Sequence, residues 1–258
     1  MSTTAGKRPH EQGTSQNLIW GIHPVLELLS TQPRTIHSIQ IIQGKGGSKL
    51  QAIIDRARTN GVKVKFVSQL RHPDNVRMNH QGVTAHVMPH ATLTDEEFLE
   101  GLAEKENPLI LALDSIQDPH NLGAIIRTAV AVGVDGLILP KDRSAPLTGT
   151  VVKISAGALP HLPICLTTNL VRMLQKLKEK NVWICSTLKD SGQTIYTADL
   201  SIPLCLVIGS EEKGIRPLVR KQCDLDVSIP MNESIDSLNA SVAAAVILFE
   251  IQRQRSLS

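Results

Sequence analysis

Apolar residues follow two different rhythms along this chain, and the change between them divides the molecule. From Leu109 onward, short and nearly unbroken apolar runs alternate with helical stretches. The runs predict strands over Leu109–Asp114, Gly136–Pro140, Leu162–Thr167, Val182–Leu188, Leu204–Gly209 and Leu225–Pro230. Helices are predicted between and after them, over Asn121–Val132, Thr148–Ser155, Asn169–Lys180, Ile215–Gln222 and Leu238–Arg255. A strand without polar alternation is buried on both faces, so this region reads as an α/β domain with a mostly parallel sheet covered on both sides.

The preceding region is patterned differently. His23-Pro24 opens a short helix through Leu29, with proline at a permitted first-turn position. Ile36–Ile42 is β-branched and strand-like. Ser48–Asn60 carries Leu50, Ile53, Ile54 and Ala57 at helical spacing and closes on Gly61. Val62–Val67 alternates apolar positions with Lys63 and Lys65, as a half-exposed strand does, and Gln81–Val87 reads as a further strand. Residues 17–90 thus form a small α/β module. Residues 91–107 form an acidic connector, in which Thr94 and Glu97 match a capping box, and residues 108–258 form the larger domain. Met1–Gln16 is polar, lacks an apolar signal core and reads as a disordered tail of a cytoplasmic protein.

Composition sharpens this division. Aromatic residues make up only 2% of the 258 positions against 41% hydrophobic overall, so the core is built from Leu, Ile, Val and Ala. No run is long enough to span a membrane. Cys165, Cys185, Cys205 and Cys223 lack metal or redox spacing and read as core thiols in a reducing compartment, and no metal is expected. The net charge of +3 conceals an asymmetry. Residues 17–90 hold nine Lys or Arg against three Asp or Glu, whereas 91–107 hold one against six. A basic module ahead of a balanced domain suits a polyanionic partner such as RNA, although an ordinary solvated surface gives the same count. The loop Gly44-Lys45-Gly46-Gly47-Ser48-Lys49 lacks the order of a Walker loop. Lys45 and Lys49 are candidate phosphate contacts, with plain solvent exposure the competing reading.

Three segments carry the chemistry: Asp118-Pro119-His120-Asn121 through Arg127, Ile208-Gly209-Ser210-Glu211, and Ile229-Pro230-Met231 leading to Ser237-Leu238-Asn239-Ala240-Ser241. Each lies at a strand-to-helix or strand-to-loop junction, where open α/β sheets bind ligands. From Leu122 to Gly133 the chain is almost wholly apolar, which predicts a helix buried on most sides with Arg127 as its only charge. A guanidinium does not shed its proton, so Arg127 should meet a carboxylate or a phosphate. Asn121 reads either as a functional amide or as a helix N-cap, Glu211 as a site acid or an exposed loop acid, and Ser237 as a site hydroxyl or a cap.

These segments, in this order, resemble the three signature motifs of the SpoU (TrmH-like) group of SPOUT RNA methyltransferases. Trp20-Gly21-Ile22-His23 and His80-Gln81-Gly82 resemble the substrate-binding module that precedes the catalytic domain in bacterial 23S rRNA guanosine-2′-O-methyltransferases. The resemblance implies an L30e-like first domain and a second domain with a trefoil knot at its C-terminal end. It also implies a homodimer with active sites at the interface, and S-adenosylmethionine bound by backbone at Gly209, Ile229 and Leu238. Arg127, Asn121, Glu211, Ser237 and Asn239 would be the active-site side chains, with Arg127 also touching RNA. The implied reaction is 2′-O-methylation of a ribose, guanosine in 23S rRNA being the family expectation. A tRNA ribose methyltransferase and a catalytically silent RNA-binding or ribosome-assembly protein are the alternatives. Glu212 and Glu233 stand where the family commonly has glycine, which puts the cofactor loops in question.

Overall fold

A computed structural model describes residues 18–31, 33–70, 79–87, 90–232, 234 and 236–257. The tail read as disordered and Glu233 lie outside the described residues. The chain divides into two compact units, Met1–Pro89 and His90–Ser258.

The first unit holds β1 (Leu18–Trp20), α1 (Ile22–Thr31), β2 (Ile36–Ile42), α2 (Ser48–Thr59), β3 (Lys63–Val67) and β4 (Val83–Val87). Its sheet runs β1-β4-β2-β3. β3 lies parallel to β2, while β4 is antiparallel to both β2 and β1. The three residues of β1 are too few to show any periodicity, so sequence patterning passed over this strand. α1 begins at Ile22, and the Gln81 side chain accepts its first N–H at 3.0 Å, a cap supplied from 59 residues away.

The second unit carries six parallel strands: β5 (Leu109–Asp114), β6 (Gly136–Pro140), β7 (Ile164–Thr167), β8 (Trp183–Thr187), β9 (Leu204–Gly209) and β10 (Leu225–Val227). Their order is β10-β8-β9-β5-β6-β7. Side chains alternate across the sheet between two separate cores. Leu109, Leu111 and Leu113 of β5 join Leu204, Leu206 and Ile208 of β9 on one face. Ile110, Ala112, Cys205 and Val207 join on the other. Six helices complete the layers: α4 (Pro119–Val132), α5 (Gly149–Ile154) and α8 (Ala240–Arg255) cover the first face. α3 (Asp95–Gly101), α6 (Leu170–Lys178) and α7 (Pro217–Arg220) cover the second. Burial on both faces is why these strands read as unbroken apolar runs.

The segment read as an acidic connector packs as part of this second unit. Thr94 and Glu97 form a complete capping box at the start of α3. Phe98 is 2% exposed and packs so closely on β6 that a Cβ on Gly136 would lie 2.4 Å from its ring. The segment's apolar residues enter the core, Asp95 is half-buried and accepts from Thr167 Oγ1 at 3.3 Å, and the other acids face solvent; charge alone displayed only the acids. Burying a phenylalanine in this way contributes roughly 2–3 kcal/mol.

The four cysteines are free. Burial pushes the Cys165, Cys185 and Cys223 thiols up to about 12, so they stay protonated and packed. Burial likewise pushes the Cys205 thiol well above its ordinary value. Among the described residues, no helix is long and apolar enough to cross a membrane, and no group of three or more His, Cys, Asp or Glu is arranged to hold a metal ion.

Candidate active site and RNA-contact residues

Strand order positions the site. From β5 the chain runs through β6 to β7 on one side, while β9, β8 and β10 fill the other. The switch falls between β5 and β9, whose carboxyl ends meet with Asp114 opposite Gly209. All three chemistry-bearing segments leave the sheet at its carboxyl edge. The segment after β5 enters α4, the one after β9 forms a closed loop, and the one after β10 enters α8. Packing of α4 against α8 brings the first turn of one to the first turn of the other.

Three side chains converge there. Glu211 Oε1 accepts hydrogen bonds from Asn121 Nδ2 at 3.0 Å and from Asn239 Nδ2 at 2.6 Å. It also accepts from the backbone N–H of Ala240 at 2.9 Å. Asn239 Nδ2 donates to Asn121 Oδ1 at 2.9 Å, which closes the triangle. The carboxylate therefore sits at the N-terminus of the 16-residue α8, where helix dipole and free N–H groups favour negative charge. Asn239 is the N-cap of α8: its Oδ1 accepts from the N–H groups of Ser241 and Val242. Ser241 Oγ donates to the same oxygen at 2.6 Å. With both ends of each amide engaged, neither asparagine is free to rotate.

The caps differ from two of the sequence alternatives. Asp118, not Asn121, caps α4, with Pro119 at its first position. Asn121 is thereby left to face Glu211. Asn239, not Ser237, caps α8, and Ser237 is exposed beside Asp236. Lys189 pairs with Asp236 at 2.5 Å and ties the loop after β8 to the segment carrying Ser237. Neither Ser237 nor Arg127 joins the triangle.

Arg127 departs most from expectation. It is exposed, because α4 buries Leu122, Gly123, Ile125, Ile126, Ala129 and Val132 against its own sheet and leaves Ala124, Arg127 and Ala131 on the open side. An apolar run does not reveal which of its faces meets the sheet. Arg127 has no hydrogen-bond or ion-pair partner among the described residues. It lies six residues beyond Asn121, roughly 240° around the helix and about 9 Å along it.

Gly209 is required by the chain's own backbone. A Cβ there would lie 2.2 Å from the carbonyl carbon of Gly214. The loop folds back because Ser210 and Gly214 exchange backbone hydrogen bonds at 3.1 and 2.8 Å. Glu212 stands exposed in this loop and is not among the residues with positive φ, so it occupies the family's glycine position without that strain. Ile229 and Leu238 are partly buried, and their backbone N–H and C=O groups have no hydrogen-bond partner among the described residues.

Two further residues escaped sequence reading. Asp114, fully buried at the end of β5, accepts from Arg216 N at 2.8 Å and Arg216 Nε at 2.6 Å. The available signal was a carboxylate ending an otherwise apolar strand, which demands a cation.

In the first unit, Lys45 and Lys49 are exposed on the glycine-rich loop and the start of α2. The Lys45 stem lies over Gly82, where a Cβ would come within 2.6 Å of its Cδ. Lys49 Nζ lies 3.3 Å from His23 Nε2. The Gly21–His23 and His80–Gly82 segments thus meet the cationic loop on one surface.

Both units of the chain resemble known proteins. Residues 108–249 match the SpoU rRNA Methylase family model, and residues 18–93 match that for RNA 2′-O ribose methyltransferase substrate binding. The 23S rRNA (guanosine-2′-O-)-methyltransferase RlmB of Shewanella oneidensis is 41% identical over 241 residues, 93% of this chain and 98% of the relative. The SpoU methyltransferase AviRb from Streptomyces viridochromogenes, solved in complex with AdoMet, superposes with a TM-score of 0.65 at 26% identity, covering 93% of this chain and 91% of that one. An A. aeolicus TrmH/SpoU tRNA modifying enzyme gives a TM-score of 0.53 at 30% identity, covering 63% of this chain and 83% of its own. With both family models matched in order and a relative this similar along nearly its whole length, the chain belongs to the SpoU rRNA methylase family.

Proposed function

We propose that the protein is an S-adenosylmethionine-dependent methyltransferase acting on a ribose 2′-hydroxyl of 23S rRNA, with guanosine as the target nucleotide. The observation that carries this reading is the Asn121–Glu211–Asn239 triangle at the switch point of the sheet. It joins one polar residue from each of the three segments shared with the family. The rRNA-modifying relative matches 93% of the chain, whereas the tRNA-modifying enzyme matches 63%, which favours rRNA over tRNA. A ribosomal RNA substrate supports a cytoplasmic location.

The residues at the carboxyl edge fit the methyl donor. Gly209 ends β9, and Ile229 and Leu238 lie on the segment after β10; the backbone groups of the latter two, without partners among the described residues, are suited to a ligand's hydrogen-bonding edge. When bound, S-adenosylmethionine supplies an electrophilic methyl group. The chain's own task is to orient the ribose and stabilise the charge that develops on its oxygen as the hydroxyl proton leaves. Asn121 and Asn239, locked by Glu211, position the ribose, and Ser237 stands exposed two residues before Asn239. Arg127 supplies the fixed cation, opposite the developing oxyanion and beside a backbone phosphate.

Arg127 serves this role in a homodimer. It lies on the open side of α4, and on the adjoining α8 Val242 and Phe249 are 48% and 52% exposed. Pairing these faces covers the exposed apolar residues and offers Arg127 of one copy to the crevice of the other. The strand order supports a trefoil knot: β9 is inserted between β5 and β8, β10 lies beyond β8, and the chain must then return for α8 to reach α4. The mixed four-stranded sheet with two helices supports an L30e-like first domain.

Lys45 and Lys49 hold RNA phosphates in this reading. Reversing both charges, Lys45→Glu with Lys49→Glu, is expected to weaken RNA binding at least tenfold at low salt and to reduce the salt slope by about one to two. Filter binding across a salt series measures both quantities, and unchanged affinity and slope would leave the loop merely exposed. The activity itself is tested with tritiated S-adenosylmethionine on 23S rRNA, 16S rRNA and tRNA from cells lacking the protein. Label is expected in 23S; label in tRNA alone would replace the substrate assignment. RNA binding without label anywhere would make the protein a silent binder.

A further inference from the structure

We infer that Arg216 is a second phosphate-binding arginine of the active site, aimed at the RNA backbone next to the target nucleotide and held in place by the buried carboxylate of Asp114. The inference rests on the RNA-methylating reading above.

Two arginines of α8 spend their guanidinium nitrogens on the protein itself. Arg255 spends its Nη nitrogens on the carbonyls of Asn107, Pro108 and Ile202. Arg253 grips Glu250 with both Nε and Nη2, each at 2.8 Å. These are structural arginines, with the guanidinium fork engaged by the protein. Arg216 differs. Asp114 takes its Nε and its backbone N–H, and the two Nη nitrogens have no partner among the described residues. Its side chain is 36% exposed while that of Asp114 is 0% exposed. One edge of the guanidinium is therefore anchored in the protein and the other is presented outward.

The anchor is rigid. Asp114 ends β5 and pairs in register with Gly209. Ser115, at φ 69°, donates to Asp114 Oδ1 at 3.3 Å. Close approach of Gly214 and Ile215 to Gly209 fixes the chain immediately before Arg216. The same loop carries Glu211. Arg216 is thus held at the carboxyl edge of the sheet, at the switch point, by groups that belong to the loop of the catalytic triangle.

An outward pair of guanidinium nitrogens matches the two non-bridging oxygens of a phosphodiester. The anchoring carboxylate cancels much of the long-range charge, so the contact selects by donor geometry rather than by general attraction to RNA. A lysine keeps the charge beside Asp114 but has no fork.

The test compares Arg216→Lys with the wild type for affinity toward 23S rRNA from cells lacking the protein, affinity for S-adenosylmethionine, and thermal stability. A second variant, Asp114→Asn with Arg216→Met, removes the buried charge together with its partner, so that folding does not depend on an uncompensated carboxylate. Both variants are expected to bind RNA about tenfold more weakly, with affinity for S-adenosylmethionine changed less than about twofold, in keeping with loss of a charge-assisted bidentate contact. Unchanged RNA affinity in the folded variants would overturn the inference. A parallel loss of S-adenosylmethionine affinity would also overturn it, by assigning the fork to the methyl donor's carboxylate. Wild-type protein that binds this RNA without methylating it would refute the activity and leave the Arg216 measurement interpretable.

Discussion

Arg127→Ala is expected to lower the rate of RNA methylation by about 10²–10³-fold, the usual cost of removing a fixed donor from a developing oxyanion. Affinity for S-adenosylmethionine and thermal stability should change little, because Arg127 is exposed and has no partner among the described residues whose loss would strand a buried charge. Single-turnover methylation alongside equilibrium binding of the cofactor measures the two effects separately. The proposed dimer adds a sharper requirement. Arg127→Ala and Asn239→Ala chains, each inactive alone, should recover activity when mixed, since one crevice of the mixed dimer receives both native residues. Recovery in mixtures with undiminished Asn239→Ala activity, or no recovery at all, would contradict action across the interface. A rate near wild type in Arg127→Ala itself would remove the residue from the mechanism.

The second large effect concerns Glu211. One oxygen accepts three N–H groups, from Asn121, Asn239 and the first residue of α8. Glu211→Ala removes that acceptor from all three donors: Asn121 Nδ2 loses its partner, while Asn239 keeps its N-cap bonds and its bond to Asn121 Oδ1. The variant's turnover should fall by about 10²-fold or more, with a loss of stability of about 1–3 kcal/mol from the broken network. Glu211→Gln retains an acceptor oxygen but loses the charge that the α8 terminus stabilises, so it should fall between wild type and Glu211→Ala. Melting temperatures and turnover for the pair decide the point. If Glu211→Ala loses stability but not turnover, the triangle is structural alone.

Some of this architecture was legible from residue patterns and some was not, for reasons that differ by element. β5, β6 and β9 match their predicted bounds because they are buried on both faces and end sharply at polar or glycine positions. β10 and α7 are shorter than predicted, since Pro217 sets the start of α7 and the chain leaves β10 after Val227. Phe98 was hidden by the acids around it, and β1 by its length. Within the site, Asn121, Glu211 and Asn239 were identifiable from the motifs they share with a family. Their meeting point was not, because Asn239 and Asn121 stand 118 residues apart and touch only through the packing of α4 on α8. Asp114 and Arg216, separated by 102 residues, lie outside any local pattern. Arg127 was found as a lone charge on an apolar helix, but its exposure depends on which face of that helix meets the sheet.

The most direct measurement is the chemical position of the methyl group. Wild-type protein is given tritiated S-adenosylmethionine and 23S rRNA from cells lacking it, and the product is hydrolysed with alkali. A 2′-O-methyl group blocks cleavage of the neighbouring phosphodiester, so the label is expected in an alkali-resistant dinucleotide that begins with guanosine. Label in an ordinary mononucleotide would mean methylation of a base, and would contradict a site built to position a ribose hydroxyl.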